Sequence, residues 1–270
     1  MAFDVAALLR WYERVKRPLP WRATRDPYAL LVSEVMLQQT QAARVVPYYE
    51  AFLARFPDPE TLAAAAPREV LGAWSGLGYN RRALSLQKAA RVVAERGWPD
   101  DLTELPGVGP YTAAAVASFA WDVQLPAVDT NVRRVLERFD GSARGPAALA
   151  DRGRALMPAG RAAAFNQAMM ELGATVCRPR APLCPACPVR AGCAAHAAGG
   201  PPGPAPRRRG AARFEDTDRW ARGRIVAALL AGEPPPQIEN VRRERVLAAL
   251  EHDGLIVRGP DGSPRLPGSE

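Results

Sequence analysis

A group of four cysteines constrains the fold of this chain more than any other feature. They are the only cysteines in the chain and lie within 17 residues, at Cys177, Cys184, Cys187 and Cys193. Such close spacing, with prolines at 182, 185 and 188 among those in between, favours a loop around one metal centre over disulfides. A single Cys-x2-Cys pair with wider arms suits a [4Fe–4S] cluster, whereas zinc sites usually show two such pairs. Zinc and a redox or disulfide role remain alternatives on spacing alone.

The composition describes a basic protein with enough apolar residues to form a core. The chain has 270 residues, 48% of them hydrophobic, and a formal net charge of +8. This length suits one large or two modest domains. The positive charge favours a polyanionic partner, with nucleic acid first, although a merely basic protein is the alternative.

The sequence predicts a cytoplasmic protein with no membrane partner. The N-terminus shows no basic start followed by an apolar run, so we expect no secretory signal. No apolar stretch approaches the roughly 18 residues of a membrane span. A centre bound by thiolates also requires a reducing compartment.

Residues 1–195 are predicted to be almost entirely helical, because Ala, Leu and Val recur at spacings of three and four residues. The predicted helices cover residues 28–41, 43–55, 67–74, 80–96, 111–120, 130–138, 147–156 and 161–176. Residues 196–214 are predicted to be a linker rich in Pro, Gly and Arg. Residues 215–270 are predicted to form a small unit in which two helices precede a hairpin, an order that resembles a winged helix. This unit either contacts nucleic acid or only covers the core.

A second motif is the segment LPGVGPYTA at residues 105–113, in which Gly107 and Gly109 flank Val108. Glycine allows a positive φ and lets another backbone approach closely. The next helix is predicted to begin near Pro110, with unpaired N–H groups and the positive end of its dipole at this turn. Such a turn can bind phosphate without reading base sequence. A plain connection between helices is the alternative.

Glu34 is predicted to lie on an apolar helix face. Positions 30, 31, 37, 38 and 41 would share that face, and three of them are leucine. Leucines around a carboxyl group remove water from it, which raises its pKa above the usual value of about 4.3. The group would then keep a proton near neutral pH. A glutamate on a helix surface is the alternative.

Asp129 directly precedes a predicted helix, where capping alone would explain it. A second interpretation pairs it with Glu34. Two carboxyl groups in different environments can break a glycosidic bond together, because one protonates the leaving group and the other stabilises positive charge on the sugar.

Together these motifs resemble the helix-hairpin-helix DNA glycosylases of the endonuclease III superfamily, and most closely the MutY-type adenine glycosylases. The resemblance covers roughly residues 10–195. Its segments are LPWR (19–22), SEVMLQQTQ (33–41), GLGY (76–79), LPGVGPYTA (105–113), VDTNVRR (128–134), FNQAMMELG (165–173) and the cysteine loop.

The resemblance implies an all-α fold with a six-helix barrel domain, residues 22–127, that contains the helix-hairpin-helix. An iron–sulfur cluster domain would combine residues 1–21 with residues 128–195, and the substrate would lie in the cleft between the two domains. The four cysteines would hold a [4Fe–4S] cluster. Gly107, Val108 and Gly109 would bind the DNA backbone.

The resemblance also implies roles in catalysis. Glu34 would protonate adenine and later help water to attack, while Asp129 would stabilise the positive sugar, with Asn131 as its orienting partner. The target adenine would be flipped out of the duplex. Its pocket would be lined by Trp21, Arg22 and Gln167. The gap left in the base stack would be filled by Gln39 and Tyr79.

Tyr111 separates two mechanisms. Bifunctional relatives carry a lysine two residues past the last hairpin glycine, where it acts as a Schiff-base nucleophile. Tyr111 stands at this position, so we predict a monofunctional enzyme that does not nick the strand efficiently. Tyrosine also occurs here in mismatch glycosylases that remove thymine, but these generally lack a glutamate at the position of Glu34.

The sequence departs from the family at two places. Asn80 replaces the second aromatic residue that often follows Tyr79, and the last residues do not resemble the Nudix-like domain through which typical members recognise 8-oxoguanine. We therefore expect a short, monomeric form that removes adenine opposite guanine or 8-oxoguanine in double-stranded DNA. A thymine or uracil mismatch glycosylase and a non-catalytic DNA-binding protein are the alternatives.

Overall fold

The computed structural model describes residues 2–200, 213–259 and 261–268. Helices dominate these residues, as the sequence predicts. The first seven α-helices are α1 (Val5–Val15), α2 (Pro27–Leu37), α3 (Ala42–Arg55), α4 (Pro59–Ala64), α5 (Pro67–Ala73), α6 (Arg81–Arg96) and α7 (Pro110–Trp121). The others are α8 (Thr130–Asp140), α9 (Pro146–Leu156), α10 (Ala162–Glu171), α11 (Ala194–Ala197), α12 (Asp218–Ala231) and α13 (Asn240–His252). Most of the predicted linker, residues 201–212, lies outside the described residues.

The chain divides into two compact units, and each is built from segments that are distant in sequence. The first unit combines the described residues of Met1–Glu34 and Val108–Arg207. The second unit combines those of Val35–Gly107 and Arg208–Glu270. The domain boundaries predicted from the sequence stay predictions. Within the described residues, no helix is both long and apolar enough to cross a membrane.

The core of the first unit is formed mainly by α1, α8 and α10. Each helix turns one apolar face inward, and each buried large side chain contributes about 1.5–3 kcal/mol. The residues buried by α1 and α8 are Leu8, Leu9, Trp11, Tyr12, Val132, Val135, Leu136 and Phe139. Phe3 packs its ring on Phe139, with 4.6 Å between the centroids.

Helix α7 lies in the interior of the protein, because every residue from Thr112 to Ala120 is buried. Its sequence is rich in alanine, which lets neighbouring backbones approach closely. Asn166 of α10 donates hydrogen bonds to Ser118 Oγ and to the Leu125 carbonyl, each at 2.8 Å, and accepts one from the Ala127 amide at 3.0 Å. These bonds satisfy a buried amide and fix the chain just before Asp129.

The second unit has its own aromatic core. Trp74 and Phe52 are fully buried and meet edge to face, with 5.9 Å between their centroids. In the same unit, α12 packs against both α13 and α5. The predicted hairpin is present as two short antiparallel strands, β1 (Val257–Arg258) and β2 (Pro264–Arg265), with Val257 opposite Arg265.

The predicted helices agree with the structure except at four places. Helices α1, α4 and the short α11 were not predicted. Asp4 caps α1 and Asp58 caps α4, by accepting hydrogen bonds from Ala7 N at 2.8 Å and Thr61 N at 2.7 Å. The prediction that α2 reaches residue 41 was wrong, because the helix ends at Leu37. The chain turns there, since Gln39 adopts a left-handed conformation with φ 59°.

Candidate active site

Glu34 lies on α2 and is only 5% exposed. Leu30 and Leu31, on the preceding turn, are buried too, as the leucine pattern predicts. Burial raises the pKa of Glu34 to about 7, and the negative charge of Asp129 acts in the same direction, whereas a hydrogen bond with Tyr111 opposes both. The carboxyl group is therefore divided between its protonated and ionised forms near neutral pH.

Tyr111 lies in the first turn of α7, where Pro110 occupies the first helical position and fixes the backbone. Burial raises its pKa well above 10, and the charges of Glu34 and Asp129 add to this effect. The hydroxyl therefore stays protonated and can donate to the Glu34 carboxyl group. Tyr111 thus hydrogen-bonds Glu34 and lies within the electrostatic reach of Asp129, two acids that are far apart in sequence.

Asp129 is the N-cap of α8, so the capping interpretation is confirmed. Its Oδ1 accepts hydrogen bonds from the backbone amides of Asn131, at 2.9 Å, and Val132, at 2.7 Å. Its Oδ2 accepts a third from Asn131 Nδ2 at 2.7 Å. Three hydrogen-bond donors and the N-terminus of α8 thus hold this carboxyl group. Capping and a catalytic role are compatible, because the cap keeps the carboxylate in one position.

Arg134, on the next turn of α8, was not identified from the sequence. Its guanidinium donates to Asn131 Oδ1 at 2.8 Å, to the Gly173 carbonyl at 2.7 Å and to the Cys177 carbonyl at 2.8 Å. It therefore connects the partner of Asp129 with the start of the cysteine loop. The sequence alone does not indicate this connecting role, because an arginine on a helix usually points into solvent.

The four cysteines line one cavity of the first unit, together with side chains that include Arg138 and Arg190. Arg138 Nη1 also lies 3.5 Å from Cys177 Sγ. Burial raises the pKa of the Cys187 thiol to about 11, and the other three cysteines add to this. No three cysteine, histidine or acidic side chains in the described parts of the chain are close enough together to bind a single metal ion.

The residues predicted to form an adenine pocket belong to a network in the first unit. Glu171, which is fully buried, accepts hydrogen bonds from Arg22 at 2.6 Å and from Arg17 at 2.8 Å. Burial alone would raise the pKa of Glu171, but the two guanidinium groups lower it overall. Gln167 accepts a hydrogen bond from the Tyr12 hydroxyl at 2.6 Å. Trp21 is buried, with 6% of its surface exposed.

Glu171 and Tyr12 were not predicted as site residues. Glu171 lies 149 residues from its partner Arg22, and Tyr12 lies 155 residues from its partner Gln167, so no local sequence pattern joins them. The one available signal was the glutamate within the otherwise apolar segment 165–173, since a buried acid requires a cationic partner.

Gln39 and Tyr79, the predicted wedge residues, belong to the second unit and contact each other. The Tyr79 hydroxyl donates a hydrogen bond to Gln39 Oε1. Both residues have a left-handed backbone, with φ 59° and φ 50°, and such strain in residues other than glycine is typical of functional sites. Arg82 joins their loops by donating to the carbonyls of Val35 at 2.6 Å, Gln38 at 2.7 Å and Gly78 at 3.1 Å.

The two hairpin glycines differ in backbone conformation and in the space available for a side chain. Gly107 has φ +80°, and a Cβ atom there would lie 2.6 Å from the Cβ of Ser85, so the turn excludes larger residues. Gly109 has an ordinary φ of −90° and caps α7. A Cβ atom at Gly109 would meet nothing within 4 Å. The open space beside Gly109 could therefore accommodate another molecule at the N-terminus of α7.

Comparison with known proteins agrees with this geometry. Residues 32–152 match the model of the HhH-GPD superfamily of base excision DNA repair proteins. Among solved structures, a thermostable thymine-DNA glycosylase aligns over 70% of this chain and 93% of its own, with a TM-score of 0.66 and 32% identity. An endonuclease III–DNA complex aligns over 70% and 92%, with a TM-score of 0.62 and 25% identity. The fold and the site define a helix-hairpin-helix base excision repair protein.

Curated relatives narrow this class further. The adenine DNA glycosylase of Mycobacterium tuberculosis is 44% identical over 97% of this chain and 92% of its own length. That of Mycolicibacterium smegmatis is 42% identical over 99% and 97%. The rat enzyme is 46% identical over 70% of this chain but only 41% of its own length. The chain belongs to the adenine DNA glycosylase family.

Proposed function

We propose that this protein hydrolyses the N-glycosidic bond of adenine mispaired with guanine or 8-oxoguanine in double-stranded DNA. The observation that carries the proposal is the linkage of Glu34, Tyr111 and Asp129. Glu34 is buried and has a pKa of about 7, whereas Asp129 accepts three hydrogen bonds at the start of α8. The reaction requires two carboxyl groups in such different environments.

In the first step, protonated Glu34 gives its proton to a ring nitrogen of the extruded adenine. The bond between that base and C1′ then breaks, and its electron pair leaves with the base, which departs as neutral adenine. Positive charge develops on the sugar, and ionised Asp129 stabilises it. Because Asn131 and the start of α8 hold Asp129, little reorganisation is needed as the charge appears.

In the second step, water adds to the electron-poor C1′. Ionised Glu34 accepts a proton from that water, which restores the acid for the next cycle. Tyr111 offers a neutral hydroxyl in place of an amine, so no Schiff base forms with the sugar. We therefore propose a monofunctional enzyme that leaves the DNA strand intact at the abasic site.

DNA binding is supported by two observations beyond the family. The chain carries a net charge of +8, and the hairpin presents the N-terminus of α7 beside the open space at Gly109. Backbone N–H groups at such a helix end bind phosphate irrespective of base sequence. The hairpin would therefore bind DNA without selecting the base that is removed. That selection would depend on the site around Glu34, which protonates the base.

The four cysteines border one cavity, which fits a centre held by all of them. Their spacing, a single Cys-x2-Cys pair with wider arms, suits a [4Fe–4S] cluster. Such a cluster would supply electrostatic and structural support here. Arg134 and Arg138 would hold the loop that carries it.

Base release from single-mispair duplexes tests the proposal. Duplexes with one A·G, A·8-oxoG, T·G or U·G pair are incubated with the full-length protein, and the released base is identified by chromatography. We expect adenine from the first two, none from Glu34→Gln, and strand cleavage only after alkali. Release of thymine or uracil alone would support the mismatch glycosylase instead, and strand cleavage without alkali would contradict the role of Tyr111.

A further inference from the structure

The C-terminal part of the second unit places an arginine on the ring of Tyr79. Arg219 lies in the first turn of α12, after the cap residue Thr217. Its guanidinium carbon is 4.0 Å from the centroid of the Tyr79 ring and 5.8 Å from that of Phe214. A planar cation at 4.0 Å is in direct contact with the aromatic ring.

Tyr79 is held in place from other directions too. Its hydroxyl is hydrogen-bonded to Gln39, and its backbone is left-handed. The guanidinium of Arg82 lies 5.4 Å from the same ring centroid. The ring therefore has two arginines beside it, one from residues 35–107 and one from the C-terminal segment.

The charge of these arginines is not neutralised. In the described parts of the chain, neither Arg219 nor Arg82 has a carboxylate within salt-bridge distance. Burial lowers the pKa of Arg82 to about 10, and the charge of Arg219 acts in the same direction. Arg222, on the same helix as Arg219, differs because it pairs with Asp253. Arg219 is exposed, so its charge is open to an external anion.

The ligand that fits this group combines a negative charge with flat rings. Nucleic acid offers both, because phosphate pairs with guanidinium and a base can stack on a tyrosine ring. The guanidinium of Arg219 covers part of the Tyr79 ring, so a base and Arg219 cannot occupy that part together. Entry of Tyr79 into a base stack would therefore release Arg219.

We propose that Arg219 is a DNA-contacting residue that covers Tyr79 in the free protein and moves to a phosphate beside the lesion when Tyr79 enters the base stack. The proposal rests on the proposed function in taking damaged double-stranded DNA as the ligand, and on the resemblance in taking Tyr79 as a residue that enters the base stack. It assigns a function to the C-terminal segment, which contributes this cation to a site formed by Gln39, Tyr79 and Arg82.

The test uses the full-length protein and a duplex with a stable abasic-site analogue opposite guanine, so that binding needs no catalysis. The variants are Arg219→Ala and Arg219→Lys. The matched control is Arg224→Ala, because Arg224 is exposed on the same helix. Dissociation constants are measured over a range of salt concentrations, and thermal melting checks that each variant is folded.

We expect Arg219→Ala to weaken binding roughly tenfold and to reduce the salt slope by about one, because one phosphate contact is lost. Arg219→Lys keeps the charge and should restore the slope, whereas Arg224→Ala should match the wild type. Unchanged affinity and slope in Arg219→Ala would overturn the proposal. Tighter binding would do so as well, since it would mean that Arg219 only obstructs the ring.

A double variant tests the link to Tyr79. In a Tyr79→Ala background the guanidinium is no longer held beside the insertion site, so Arg219→Ala should weaken binding less than it does in the wild type. If Arg219→Ala lowered DNA affinity equally in the wild type and in Tyr79→Ala, the proposal that Arg219 moves from the Tyr79 ring to a phosphate would be overturned. A protein that binds in this way yet releases no adenine would refute the proposed function and leave this inference standing.

Discussion

Glu34 shows how one residue can be unfavourable for folding and useful for chemistry. Burial disfavours its ionised form, and the hydrogen bond with Tyr111 offsets only part of this, so its pKa lies near 7 instead of 4.5. A group buried at such a cost, beside a second acid, is typical of a catalytic centre. The protein retains stability elsewhere, through the apolar cores of its two units.

Glu34→Gln should therefore stabilise the protein, increasingly so as the pH rises. The pKa of Glu34 is raised on folding, so its carboxyl group is protonated in both states below pH 4.5 and increasingly destabilises the folded state as the pH rises to about 7. At about 1.4 kcal/mol per unit, the variant should gain on the order of 3 kcal/mol above pH 7 and little near pH 4.

Urea unfolding at several pH values measures this difference. Glu95→Gln is the matched control, because Glu95 is exposed on α6, and it should leave the pH dependence unchanged. A stability gain that is equal at all pH values would show that the carboxyl group of Glu34 is not held in its protonated form by the fold.

The sequence predicted the direction of the Glu34 pKa shift but not its full cause. Leucines on one helix face indicate desolvation, because helical neighbours follow from spacing alone. The partner Tyr111 lies on another helix, and only tertiary structure brings its hydroxyl to Glu34. Arg134 and Glu171 were missed for the same reason, since each gains its role from groups that are distant in the chain.

At the scale of elements, the two glycines of the turn before α7 lie in different surroundings. Gly107 provides the left-handed φ and the close approach to Ser85, while Gly109 leaves open space at the helix N-terminus. Gly107 is therefore required by the fold, whereas Gly109 is the position at which we propose that DNA approaches.

Gly107→Ala and Gly109→Ala should separate these functions. Alanine at Gly107 introduces backbone strain and a clash, so we expect a loss of about 1–3 kcal/mol in the free energy of unfolding. Alanine at Gly109 should change stability by less than about 1 kcal/mol yet weaken DNA binding irrespective of the mispair. Unfolding curves and dissociation constants for duplexes with and without a mispair measure both effects. Full DNA affinity in Gly109→Ala would contradict the hairpin's role.

Sequence patterns located most helices but not all of their ends. Helix α4 was not predicted, although it begins at Pro59, a residue favoured at the first position of a helix, and Asp58 caps it. Helix α2 was extended too far, because the left-handed turn at Gln39 uses no glycine and so gave no signal.

At the scale of the whole molecule, each unit draws on distant parts of the chain. Residues near the N-terminus share a unit with the cysteine loop, and the C-terminal helices share a unit with residues 35–107. The sequence indicated a separate helical and hairpin segment at the C-terminus, but its grouping with residues 35–107 depends on contacts such as that of Arg219 with Tyr79. Such contacts have no local signature.

Elemental analysis of the purified protein tests the metal centre. We expect about four iron and four sulfide per chain, and a brown colour, because a cube holds one iron for each cysteine. Cys187→Ser should lower the iron content and the melting temperature together. One zinc per chain, with iron absent, would contradict the cluster and favour the alternative drawn from the cysteine spacing.

The most direct test of the whole account is the pH dependence of adenine release in a single turnover from an A·8-oxoG duplex. If Glu34 must be protonated, the rate should be level at low pH and fall about tenfold per unit above a midpoint near pH 7, in line with the pKa of Glu34. Glu34→Gln should abolish release at every pH while still binding the duplex. Undiminished release by Glu34→Gln, or a wild-type rate that rises through pH 7, would contradict the account.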